Sequence, residues 1–305
     1  MKREEILQVL PERLRRIVER AVTDWDELQE IHIRLGKSVA ITTEGRKCLP
    51  AQNGQVVGRR EFREMLEYIS NYSLYAFEDE IKKGFLTIPG GHRIGVSGRV
   101  VAEENEVKNL RNISCINIRV AHEKKGCADA VMPYLFEGGV FLSTLIVSPP
   151  GAGKTTLLRD IVRHLANGGQ AYEAKNVSVV DERSEIASCY MGVPQNDVGI
   201  FCDVLDACPK SEGIRMMMRS MAPEVIAVDE IGTRAEYEAL SEAITGGCAL
   251  LATVHGDSIQ HIREKPFLDR MLKEQMFGRI LFLAQKGRPG VVTGIFDAGG
   301  RVVFG

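Results

Sequence analysis

The stretch Leu145-Ile146-Val147-Ser148-Pro149-Pro150-Gly151-Ala152-Gly153-Lys154-Thr155-Thr156-Leu157-Leu158-Arg159-Asp160-Ile161-Val162 decides the fold. A short apolar run enters a turn of prolines and glycines, and an amphipathic helical pattern leaves it. The residues between fit the phosphate-loop spacing G-x-x-x-x-G-K-[ST], with Ser148 where the first glycine usually stands. The triplet Gly153-Lys154-Thr155 is weak evidence alone, since average composition produces such a triplet about once in several chains of this size. The strand before it and the helix after it give it weight. Gly151 and Gly153 let backbone N–H groups converge on a polyphosphate without Cβ atoms in the way. The helix start adds partial positive charge. Lys154 is the expected partner of the β- and γ-phosphates of ATP, and the Thr155 hydroxyl the expected ligand of Mg²⁺. Ser148, Pro149, Pro150, Ala152 and Thr156 complete the expected nucleotide-binding loop.

A phosphate loop needs an acid from a second strand. Val225-Ile226-Ala227-Val228 supplies one, placing Asp229 and Glu230 at the C-terminal end of an apolar strand, where open α/β sheets bind ligands. Asp229 is the candidate for Mg²⁺ and Glu230 the candidate general base. Capping of the next helix falls to Thr233, with Glu236 three residues on as a capping box. A third strand, Val177–Val180, runs into Asp181-Glu182-Arg183-Ser184-Glu185, which puts Asp181 and Glu182 among the catalytic candidates. A fourth, Ala249–Val254, ends at His255. A lone histidine is usually structural, but this one follows a buried strand and could sense the γ-phosphate or link two nucleotide sites. Helices are expected over Lys154–Leu165, Gly213–Met221 and Arg234–Thr245. Near-continuous apolar strands alternating with helices predict a parallel sheet covered on both faces.

Upstream the pattern is different. Arg3–Val22 carries an apolar stripe at helical spacing that Pro11 can divide. Ile31–Leu35 and Val39–Thr43 read as a strand pair, Arg60–Asn71 as a helix, Phe85–Ile88 and Arg93–Val101 as a hairpin around Pro89-Gly90-Gly91-His92, and Ile113–Val120 as a strand. The expected organisation is a smaller α+β domain over residues 1–137, then an α/β domain over residues 138–305, with the boundary near Gly138-Gly139.

Composition removes several classes. With 305 residues, 44% apolar and 26% charged, the chain has the profile of a globular protein. Its longest apolar stretch, Val140–Val147, falls well short of the roughly 18–20 residues of a membrane span. Met1-Lys2-Arg3-Glu4-Glu5 carries acids and no apolar run follows it, so no secretory signal is expected. The seven cysteines form no CxxC pair, which favours free thiols. With 39 basic against 41 acidic residues and only 6% aromatics, neither half has the footprint of a nucleic-acid module. A translocase or helicase on the same fold is the alternative to a protein-directed motor. A non-hydrolysing nucleotide switch is disfavoured, because a switch has no need for Glu230 beside Asp229.

The order of phosphate loop, acid-ended strand, Asp-Glu strand and Thr-x-His strand resembles the type II/type IV secretion ATPase superfamily of RecA-like motors. Its Asp box, Walker B segment and His box correspond to Asp181–Glu185, Val225–Gly232 and Gly246–Gly256. Arg215 and Arg219 look like the paired arginines ahead of Walker B in that superfamily. Longer runs narrow the resemblance. Val180–Ala187, Gly192–Asp197, Asp203–Asp206, Val228–Gly232, Ile88–Val96 and Arg111–Ser114 are similar to the family of stage III sporulation protein AA. The resemblance implies a RecA-like P-loop domain and a cytoplasmic ATPase of the mother cell in spore-forming bacteria. It implies a homo-oligomer, expected to be a hexamer, that energises a secretion-like channel to the forespore. Such a protein sits at the membrane through membrane-protein partners and needs no nucleic acid. RecA-like motors complete the γ-phosphate site with an arginine from a neighbouring subunit. Arg93, Arg99, Arg111 and Arg119 are candidates here, beside Arg215 and Arg219.

Overall fold

The computed structural model describes residues 2–50, 56–69, 84–103, 106–284 and 290–305, and the chain divides into two compact units, Met1–His122 and Glu123–Gly305.

In the first unit two helices, α1 (Lys2–Leu7) and α2 (Glu12–Ala21), are separated at Pro11, as the proline predicts. The sheet strands are β1 (Leu28–Arg34), β2 (Ala40–Thr43), β3 (Arg46–Cys48), β4 (Phe85–Ile88), β5 (His92–Glu103) and β6 (Glu106–Arg119). They pair antiparallel in the order β3-β2-β1-β6-β5-β4. Alternation sets the face: Ile31, Ile33, Ile94, Ile116 and Ile118 are buried, whereas Arg99, Arg111 and Arg119 are exposed. Helix α3 (Arg59–Ile69) buries Phe62, Met65 and Ile69. Residues 70 and 71 of the expected helix lie outside the described residues. The strand expected from Ile113 begins earlier, because β6 extends β5 into a long ribbon.

In the second unit β7 (Phe136–Glu137) and β8 (Val140–Phe141) form a small hairpin. The main sheet follows: β9 (Thr144–Ser148), β10 (Val177–Asp181), β11 (Cys202–Asp206), β12 (Val225–Val228), β13 (Ala249–His255), β14 (Arg279–Leu283), β15 (Val292–Asp297) and β16 (Val302–Phe304). Its order is β11-β10-β12-β13-β9-β14-β15-β16, parallel from β11 to β14 and antiparallel beyond. The helices are α4 (Lys154–Asn167), α5 (Lys210–Ser220), α6 (Arg234–Thr245), α7 (Ile259–Arg263) and α8 (Pro266–Lys273). Period-two alternation sorts each strand between two cores. Ile146, Val179, Ala227 and Leu251 join Leu157, Leu158, Ile161 and Leu165 of α4. Leu145, Val147, Val180, Ile226 and Leu250 join Ile214 and Met217 of α5 and Leu240 and Ala243 of α6. The result is a sheet covered on both faces, as the continuous apolar runs predict.

The unit boundary precedes the expected Gly138-Gly139. Ala128, Val131, Met132, Leu135 and Phe141 belong to the α4 core, and Asp160 accepts the Ala128 N–H at 2.8 Å. Packing, rather than the glycine pair, therefore sets the division, and residues 123–137 belong with the α/β unit. Among the described residues no helix is long and apolar enough to cross a membrane, and all seven cysteines are free thiols.

Candidate nucleotide site

The parallel strands end together, and the register brings the motif residues to one edge. Ser148 pairs with His255, and Val228 pairs with Ala252, so Asp229 and Glu230 emerge beside Thr253. β13 lies between the phosphate-loop strand β9 and the acid-bearing strand β12. In the loop Gly151 has φ +76° and Gly153 φ +92°, the left-handed region glycine occupies freely. No atom lies within 4 Å of where a Cβ on Gly151 would sit, which leaves an open cradle. Ser148 needs no glycine's freedom: it is the buried last residue of β9, and its hydroxyl donates to the Pro149 carbonyl at 3.0 Å. Thr155 and Thr156 are half-buried in the first turn of α4.

Lys154 is 5% exposed, and its ammonium lies 3.2 Å from Glu230 Oε1 and 3.2 Å from His255 Nε2. His255 Nε2 is also 2.8 Å from the same Glu230 oxygen. The other Glu230 oxygen accepts from Arg183 at 3.3 Å. Burial acts to raise the Glu230 carboxyl, but Lys154, His255 and Arg183 together hold it below the ordinary glutamate range. The three expected residues Lys154, Glu230 and His255 thus meet as one cluster, with the Glu230 carboxylate held against Lys154.

Asp229 is 1% exposed, and neither carboxylate oxygen has a hydrogen-bond partner. Burial, then the nearby Asp181 charge, pushes its carboxyl up to about 6. A buried carboxylate with both oxygens unpaired is costly. A hard divalent cation, bound through oxygen and water, is the kind of partner that compensates it. The residues present therefore fit Mg²⁺ at Asp229 with Thr155.

Other expected site residues are placed differently. The sequence reading puts Asp181 among the catalytic acids. In the structure it is fully buried, with Oδ1 accepting from Glu185 N–H at 2.8 Å and Oδ2 from Ile186 and Ala187 N–H at 2.9 and 2.8 Å. Its oxygens anchor a loop, and its reach into the site is the charge it exerts on Asp229. Glu182 pairs with Lys210 at 3.0 Å. Arg215 is engaged by Glu242 through two hydrogen bonds of 2.9 and 3.0 Å. Arg219 is exposed near the far end of α5, which leads back toward the start of β12. Within one chain, then, neither arginine joins the Lys154 cluster. Sequence reading misses Arg183, Lys210 and Thr253. Arg183 sits in the quoted acidic run and could be found there. Lys210 carries no motif signal, its partner lying 20 residues away, and the Thr-x-His pattern contains Thr253 without revealing its bond to Glu230, 23 residues away.

The family described as Sporulation stage III, protein AA matches residues 1–303. Stage III sporulation protein AA of Bacillus subtilis (strain 168) is 43% identical over 300 residues, covering 98% of this chain and 96% of its own length. Among solved structures, the pilus retraction motor PilT with bound ADP aligns with a TM-score of 0.61 at 12% identity, over 87% of this chain and 77% of that one. The Legionella pneumophila ATPase DotB aligns with a TM-score of 0.56 at 16% identity, over 90% and 76%. At such identities the likeness is one of fold, and the fold is that of RecA-like P-loop ATPases.

Proposed function

The chain belongs to the family of stage III sporulation protein AA, and from that premise we propose that it is a Mg²⁺-dependent ATP-hydrolysing motor. It works as a ring of identical subunits, six by analogy with secretion ATPases. It acts from the mother-cell cytoplasm on membrane proteins of a channel to the forespore.

The observation that carries the hydrolytic reading is Asp229, buried with both oxygens unpaired on the edge where Lys154 and Glu230 meet. A structural acid in that position would have acquired donors, as Asp181 has. Gly151 and Gly153 cradle the phosphates with backbone N–H groups. Lys154 carries the direct charge on them. Mg²⁺, held by Asp229 and Thr155, would supply neutralisation of the phosphate oxygens. Drawing Lys154 onto phosphate takes it from Glu230, which returns the carboxylate to a proton-accepting state. Glu230 then orients the attacking water and takes its proton. His255, already on Glu230 and Lys154, reports the phosphate to β13.

The test of the loop is Lys154→Ala. A charged hydrogen bond in such a site contributes roughly 1.5–3 kcal/mol, so ATP–Mg²⁺ affinity by calorimetric titration should fall about 10- to 10²-fold. Unchanged affinity in the folded variant would remove the phosphate-loop assignment.

A further inference from the structure

Glu230 has φ +43°, in the left-handed region a glutamate rarely occupies. Such a backbone persists only where its surroundings over-determine it. Here two side chains do so, one on each side of the residue. Thr253, fully buried in β13, accepts the Glu230 N–H on Oγ1 at 2.8 Å. Lys210, the first residue of α5 and 7% exposed, donates from Nζ to the Glu230 carbonyl at 3.3 Å. The same ammonium lies 3.1 Å from Glu236 Oε1 and 3.0 Å from Glu182 Oε2. Glu236 in turn accepts the N–H groups of Gly232 and Thr233 at 2.8 Å through its other oxygen. The loop after β12 is therefore tied to β13 on one side and to α5 and α6 on the other. The left-handed turn sets the direction in which the Glu230 side chain leaves the backbone. That direction brings its carboxylate to Lys154 and His255.

We propose that Lys210 and Thr253 are positioning residues for hydrolysis: they clamp the peptide units on both sides of Glu230 and so aim the base at the phosphate loop. This rests on Glu230 being the base. Neither side chain needs to touch nucleotide. Loss of the clamp should therefore leave nucleotide binding intact and slow only the step that needs the aimed carboxylate. A purely structural Lys210, serving only to neutralise Glu182 and Glu236, would alter stability without that separation.

The test uses the full chain with Thr253→Val, which keeps shape and removes the hydroxyl, together with Lys210→Met and Lys210→Arg. Steady-state kinetics and amide hydrogen exchange over residues 225–233 are measured on each. Misplacing a catalytic group by about 1 Å can cost about 10²-fold, so kcat in Thr253→Val and Lys210→Met should fall at least about 10-fold, with KM for ATP changed less than about 2-fold. Exchange at the Glu230 amide should quicken in Thr253→Val, and Lys210→Arg should recover part of the Lys210→Met loss. If Lys210→Met does not fold, Thr253→Val decides. Wild-type kcat in Thr253→Val, or a kcat loss matched by an equal rise in KM, overturns the clamp and leaves the motor reading standing. A wild-type protein that binds ATP–Mg²⁺ without hydrolysing it overturns both.

Discussion

Asp229 is buried with both carboxylate oxygens unpaired, at a cost to stability. Burial and then the Asp181 charge push its carboxyl up to about 6, from the 3.8 of an ordinary aspartate. An acid whose folded pKa is raised contributes stability at pH below the unfolded value and loses it as pH rises through the folded value. The metal-free protein should therefore be destabilised by ionised Asp229 above pH 6. Asn at this position has no charge to bury, so Asp229→Asn should raise the melting temperature of the metal-free protein at pH 7. The gain should shrink as pH falls from about 6 to about 4, and the variant should lose Mg²⁺-dependent nucleotide binding. Thermal unfolding over that range, with and without ATP–Mg²⁺, checks both statements; an unchanged melting temperature at pH 7 would mean that the carboxylate is compensated. This residue is legible in sequence because four apolar residues carry it to a sheet edge. Asp181 has the same signature and different partners, since a strand end gives position but cannot say whether backbone N–H groups wait in the loop that follows. His255 reaches Lys154 and Glu230 because β13 adjoins the phosphate-loop strand.

Elements were legible where burial was complete. β9, β10, β12 and β13 are mostly apolar and buried through their central residues, and are recognised as strands of a parallel sheet. β11 escapes notice because Cys202–Asp206 is only half-buried along its length, at the edge of the sheet, and its apolar pair Val204-Leu205 stands between Asp203 and Asp206. The capping box is legible in full: Thr233 Oγ1 accepts the Glu236 N–H, and Glu236 reaches back to the Thr233 N–H. What local pattern cannot convey is how closely elements approach. Gly213 in α5 would place an added Cβ 2.4 Å from Val180 Cγ1 in β10. Helix propensity alone favours alanine over glycine by about 1 kcal/mol. Overpacking a closed core costs typically 1–3 kcal/mol. Gly213→Ala should therefore destabilise the protein by up to about 2 kcal/mol net. A lowered urea midpoint at unchanged slope checks this, and a raised midpoint would show that α5 is free to shift.

For the whole molecule, the first unit contributes arginines set opposite one another across two strands. Across β5 and β6, Arg93 stands opposite Arg119, and Arg99 opposite Arg111. Like charges directly opposite on a sheet are unfavourable. Glu30 lies 3.6 Å from Arg119, and Arg93 stacks over Phe85 at 5.0 Å, so part of the first pair is compensated locally. An arginine offered to a neighbour's γ-phosphate acts only when subunits meet. Specific ATPase activity is accordingly expected to rise with protein concentration, and ATP to favour assembly more than ADP does. Mixing a variant that lacks the arginine with Glu230→Gln should restore some activity, because mixed interfaces combine the two intact halves. Flat specific activity from nanomolar to high micromolar protein, with a monomer by mass, would make the site complete in one chain.

The central claim, that this is a hydrolase whose base is Glu230, is tested most directly by comparing ATP turnover and ATP–Mg²⁺ affinity in the wild type and in Glu230→Gln. The amide keeps the size, loses the base and weakens the hold on Lys154. Turnover should fall by about 10²-fold or more while affinity is kept or increased. Hydrolysis at the wild-type rate in Glu230→Gln would contradict the account.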